Sequence, residues 1–125
     1  MLINLSNHPS DTWTAEQTQA ALATYGGKVE DIPFPPIDPR LGLEEVRNLA
    51  AEHVLRCKAL LEGQPEPHAI HVMGEMTFLH NFLLMARSEK LTCVASTSER
   101  KVHQEESGRK LIEFHFIRFR NYFPE

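Results

Sequence analysis

Four short apolar runs alternate with three helical segments along the first 95 residues, and that alternation leaves few folds open. Met1 to Leu5 is apolar and β-prone until the polar run Ser6-Asn7-His8-Pro9-Ser10 stops it. Val29 to Phe34, Ala69 to Met73 and Leu91 to Ala95 are the other strand candidates; Pro33, which lacks a backbone donor, weakens the first of these at its end.

Between these runs the period becomes helical. Thr14 and Gln17 have the spacing of a capping box, the stretch to Thr24 is rich in helix formers, and Gly26-Gly27 ends it. Leu43, Val46, Ala50, Val54, Cys57 and Leu61 recur at spacings that place them on one helical face. Glu44, Glu45, Arg47, Glu52, Arg56 and Lys58 fill the other side. Thr77 is placed to cap a third helix reaching about Arg87. That helix is apolar around most of its circumference, so it needs cover on more than one side, from the sheet and from a second subunit.

Helix-length crossovers force the four strands to be parallel. The expected fold class is therefore α/β, a Rossmann-like three-layer domain with a mainly parallel sheet, and residues 1–125 suffice for a single domain. The tail departs from this pattern. Arg100 to Glu105 and Lys110 to Phe119 flank Glu106-Ser107-Gly108-Arg109, so residues 100–119 are expected to form a C-terminal β-hairpin. Ile112, Phe114 and Phe116 alternate with polar residues, after which the phase inverts at Ile117 and Phe119. One bulge, or a change in the surface covered, explains the inversion.

Composition narrows the class. A hydrophobic fraction of 42% supports a packed core and argues against disorder. The net charge of −4 gives no broad attraction to long nucleic acids. Cys57 and Cys93 belong to no Cys-x-x-Cys pair and read as buried free thiols. With no membrane-length apolar run and no leader-like start, the expectation is a soluble, cytoplasmic protein. No His-x-x-x-His pair, glycine-rich dinucleotide turn, Walker loop or nucleophile elbow is present, so neither metal nor cofactor is expected.

Parallel α/β sheets bind ligands beyond the carboxyl ends of their strands, where the strand order reverses. If the second strand lies on one side of the first and the third on the other, that point joins residues 6–10 to Gly74-Glu75-Met76-Thr77. The segment Ser96-Thr97-Ser98-Glu99-Arg100, expected as a loop after the fourth strand, lies beside them. Hydroxyls there can donate to a phosphate, free amides at the start of the third helix can point at it, and Arg100 can grip it with two hydrogen bonds. Asn7, Ser10, Gly74, Glu75, Thr77, Ser96, Thr97 and Ser98 are the candidate ligand-binding residues, with His8 and Arg100 as candidate catalytic groups. Singly, most of these residues are ordinary caps and turn formers; it is their clustering that suggests a site. Glu75 is the oddity, because its carboxylate repels a phosphate unless it turns away, binds a ribose hydroxyl or pairs with Arg100. His71 is expected as a partly buried, hydrogen-bonded strand residue.

The opening LINLSNHPS, the junction HVMGEMTF and the segment VASTSER resemble small CRISPR-associated proteins with Rossmann-like folds, the group of sensors, sponges and ring nucleases for cyclic oligoadenylates. The resemblance implies a homodimer whose strand-end loops build a shared pocket for a ring-shaped nucleotide. It also implies that any cleavage proceeds without metal, the ligand's own 2'-hydroxyl attacking its neighbouring phosphate. Asn7, His8 and Ser10 would then line one phosphate or base, Thr77 another, and Ser96, Thr97, Ser98 and Arg100 the third side, helped by Lys101 and Arg109 if the hairpin folds inward. Two other readings remain open from the residues: a regulatory module that binds protein through the third helix and hairpin, and a small metal-independent hydrolase pairing His8 with Glu75.

Overall fold

The computed structural model describes residues 1–124. Five strands, β1 (Leu2–Ser6), β2 (Val29–Pro33), β3 (Ala69–Met73), β4 (Cys93–Gln104) and β5 (Lys110–Asn121), form one sheet in the order β2-β1-β3-β4-β5. The first four are mutually parallel, and β5 returns antiparallel to β4. Three α-helices, α1 (Ala15–Tyr25), α2 (Leu43–Leu61) and α3 (Met76–Ser88), complete a Rossmann-like α/β domain. No helix among the described residues is long and apolar enough to cross a membrane.

The burial pattern follows from this order. β1 and β3 lie inside the sheet with a helix layer on each face, and both are buried along most of their length. β2 is an edge strand and ends on Pro33, whose missing donor costs nothing there. On one face, α2 contributes Val46, Ala50, Val54, Cys57 and Leu61, and α3 contributes Phe78, Phe82 and Ala86, packed over Ile3, Leu5, Ile70 and Val72. Phe78 and Phe82 are fully buried, each contributing about 2 kcal/mol from lost water contact. On the other face Ala21 of α1 packs with Leu2, Ala69 and Val94, and with Phe119 of β5.

Local signals account for most boundaries. The Thr14 hydroxyl accepts the Gln17 amide, as the capping spacing anticipates, and Gly26 closes α1 at φ 63°. The hairpin turn falls at residues 106–109, where Gly108 takes φ 83°. Both cysteines are free and buried, and burial pushes each thiol up to about 12.

Two expectations change. α3 is capped by Glu75, not Thr77, because a carboxylate one residue before the helix reaches both the Thr77 and Phe78 amides. Ser96 to Arg100 is not a loop: β4 continues unbroken from Cys93 to Gln104 because β5 pairs with it along nearly its whole length. Within the chain α3 is buried along one stripe, Phe78, Phe82 and Ala86, with Leu79, Leu83 and Met85 partly covered and Met76 and Leu84 left exposed.

The phase inversion is a bulge. Thr97 pairs with Arg118 and Ser98 with Phe116, which leaves Ile117 as the extra residue of β5. The insertion keeps Phe114, Phe116 and Phe119 on the face that carries Ser96, Ser98 and Arg100.

Candidate functional site

β2 and β3 flank β1 on opposite sides, so the strand order reverses at β1 and β3, as the position of residues 6–10 and 74–77 suggests. A cleft of about 590 Å³ opens at their carboxyl ends and extends along β4. Asn7, His8, Gly74, Ser96, Thr97 and Ser98 line it. Trp13, Phe114 and Phe116 supply aromatic walls, and the buried His71 borders it at one edge.

The remaining candidates lie elsewhere. Ser10 is turned toward β2, where its hydroxyl and amide both donate to Asp31 at 2.7 and 3.1 Å. The Thr77 hydroxyl is 2.7 Å from the Glu75 carboxylate and bound to it, and neither residue lines the cleft. The amides expected to face a phosphate are thus already filled: those of Thr77 and Phe78 donate to Glu75 at 3.1 and 2.8 Å. These bonds, the Phe78 amide foremost and then the Thr77 hydroxyl, hold the Glu75 carboxyl below its ordinary range. Arg100 is exposed on β4, opposite Phe114 and beyond Ser98 on the same face, outside the cleft itself. Lys101 and Arg109 are exposed on the hairpin and also do not line it.

Gly74 has a spatial role. A Cβ at this position would overlap the Phe34 ring, which packs edge-on against Phe78 at 4.9 Å. The chain therefore turns from β3 into α3 against an aromatic wall that must shift to admit any larger residue.

Beneath the cleft lies a polar row that the strand-end loops do not reveal. Asp31, Asn4 and His71 are the middle residues of β2, β1 and β3, and the parallel register sets them side by side. Asn4 Nδ2 donates to Asp31 Oδ1 and to the His8 carbonyl, both at 2.8 Å. Asn4 Oδ1 accepts from the Ser6 hydroxyl at 2.8 Å and faces His71 Nδ1 at 2.9 Å. His71 Nε2 is 3.1 Å from Ser96 Oγ, on the cleft wall. The Trp13 indole also donates to the His8 carbonyl, at 3.1 Å, so the row holds the whole loop after β1 in place.

Rings enclose the His71 imidazole. Trp13 meets it edge-on at 5.3 Å and Phe119 at 5.7 Å, and the residue is only 2% exposed. Burial, with a smaller contribution from the nearby His8, lowers its pKa from 6.5 to about 4, so the ring is neutral at neutral pH. A serine beside a histidine suggests nucleophilic catalysis, but an amide oxygen, not a carboxylate, faces Nδ1. An imidazolium formed here would gain little stabilisation, so the pair is suited to fixing a hydroxyl rather than to removing its proton.

The sequence carried a signal for this row. A polar residue at the centre of each of LINLS, VEDIP and AIHVM interrupts the strand, and in a parallel sheet equal positions become neighbours. A larger groove of about 1030 Å³ lies beside the amino ends of β3 and β4, lined by His68, Lys90, Arg118 and Arg120 among others. It sits away from the strand ends at which α/β folds assemble ligand sites.

No curated protein and no solved structure matches the chain. The family model described as the uncharacterized protein MJ1673 family matches residues 1–120, and the chain belongs to that family.

Proposed function

We propose that this chain binds a nucleotide of the cyclic oligoadenylate type in the cleft at the carboxyl ends of β1, β3 and β4, with two copies of the chain building the complete site. The observation that carries this reading is the cleft's composition: aromatic Trp13, Phe114 and Phe116 and the serines Ser96 and Ser98 line one space of about 590 Å³. Flat rings suit a nucleobase, stacking being worth about 1–3 kcal/mol per base. The volume is that of a small-molecule site, large enough for one nucleotide unit of a ring.

The second copy has a physical motive. Val102, Ile112 and Phe114 share one face of the hairpin and are exposed, Phe114 at 66%. Phe114 both borders the cleft and extends beyond it, so a partner covering this face would also close the cleft. Cleavage would be metal-free: the ligand's 2'-hydroxyl loses its proton and attacks the adjacent phosphorus, and the 5'-oxygen leaves and takes up a proton. His8 is the residue of the cleft best placed to stabilise the developing charge. Binding without that step makes the protein a sensor or sponge.

Calorimetry with cyclic tri-, tetra- and hexa-adenylate, followed by chromatography of the incubated ligand, tests the proposal. Heat with at least one ring is expected. Absence of heat with all three contradicts it, and an unaltered ligand after binding selects sensor or sponge over nuclease.

A further inference from the structure

We infer that Ser96 meets the ligand only as a hydrogen-bond acceptor, and so selects a donor group, an adenine amine or a ribose hydroxyl, rather than a phosphate oxygen. The inference rests on the nucleotide reading of the cleft and overturns the role expected of this serine from sequence.

The direction of each bond in the polar row follows from its neighbours. A carboxylate and a backbone carbonyl accept only, so the Asn4 atom facing Asp31 and the His8 carbonyl must be the amide nitrogen. The Asn4 oxygen therefore faces His71, and an amide oxygen cannot donate. His71 Nδ1 must then carry the proton of the neutral imidazole, which leaves Nε2 as an acceptor. Ser96 is the donor to it, at 3.1 Å.

Ser96 has one proton and one other neighbour that accepts it, Met73 Sδ at 3.3 Å. A thioether is a weak acceptor and an imidazole nitrogen a good one, so the proton goes to His71. What Ser96 turns to the cleft are its lone pairs. A phosphate oxygen placed there would meet lone pair with lone pair, whereas an N–H or O–H would complete the chain from Asp31 to the ligand.

Two measurements on the full-length protein decide this. In the ligand-free protein at pH 7, the imidazole ¹⁵N spectrum is expected to show His71 protonated at Nδ1 and bare at Nε2. Cyclic tetra-adenylate is then titrated against analogues lacking either the 6-amines or the 2'-hydroxyls. One of the two analogues should bind about tenfold more weakly to the wild type, as loss of one buried hydrogen bond implies, and the difference should vanish in Ser96→Ala. A proton on Nε2 overturns the inference and leaves the nucleotide reading intact. Equal binding of both analogues and the parent ring does the same. No binding of any adenylate removes both.

Discussion

Asn4 and His71 occupy matching positions in the parallel register of β1 and β3, and their side chains meet at 2.9 Å inside the sheet. The Asn4 side chain is saturated: two protons donated, two bonds accepted. It joins an edge-strand carboxylate to a buried imidazole and, through that ring, to the wall of the cleft.

Removing this link should be costly. Asn4→Ala leaves the His71 Nδ1 proton without its acceptor in a buried position, a loss of about 1–3 kcal/mol for an unsatisfied group, while the Ser6 hydroxyl keeps the His8 carbonyl at 3.2 Å. Urea unfolding should show a lowered midpoint with an unchanged slope. An unaltered midpoint would mean the row contributes nothing to stability.

His71 also links stability to pH. The unfolded chain takes up this proton near 6.5 and the folded imidazole only near 4, so between those values the unfolded state binds more protons. Its contribution is complete above about 6.5 and declines as pH falls toward 4, by roughly 3 kcal/mol over the whole window. His8 lies near enough to lower the His71 pKa, and Asp31 is one Asn4 side chain away. Unfolding free energies at pH 7 and pH 4.5 should therefore differ more in the wild type than in His71→Gln. Equal differences would show that another group controls the acid limb.

The Glu75 carboxylate and the Thr77 hydroxyl are engaged with each other at the start of α3, outside the cleft. Glu75→Ala should cost about 1 kcal/mol, the usual value of a lost cap, in thermal or urea unfolding. Neither Glu75→Ala nor Thr77→Ala should change the affinity for cyclic tetra-adenylate measured by calorimetry. A tenfold loss in either variant would restore the helix start to the binding site.

Gly74→Ala should destabilise the fold by about 1–3 kcal/mol, because the new methyl can fit only if the Phe34 ring leaves its place against Phe78. A melting temperature within a degree of the wild type would indicate that the ring yields freely.

Much of this architecture was legible from the chain. Stripes at helical spacing in α2, the stops at Ser6 and Gly74, and the glycine turn at residue 108 are local, and local chemistry decided them. The continuity of β4 was not legible, because Ser96 to Arg100 has no strand signal of its own and is extended only by its pairing with β5. The same limit applied to the site. Clustered hydroxyls drew notice at Ser96 to Ser98, but Asn4, Asp31 and His71 gain their meaning from a register that joins residues as far apart as 4 and 71. Glu75 is an oddity beside a phosphate but not at a helix start, where its carboxylate accepts from two amides and a hydroxyl of its own helix.

The hairpin face makes a prediction about assembly. Light scattering should give the mass of two chains, and replacing Ile112 and Phe114 together by lysine should give the mass of one while preserving the far-ultraviolet dichroism. A wild-type monomer would leave the proposed shared site without its second half.

The most direct measurement of where a ligand sits is a titration of the ¹⁵N-labelled protein with cyclic tetra-adenylate followed by two-dimensional NMR. The account predicts shifts concentrated at Asn7, His8, Ser96 to Ser98, Phe116 and the Trp13 indole. Shifts confined to His68, Lys90, Arg118 and Arg120 in the second groove, or no shifts at all, would contradict it.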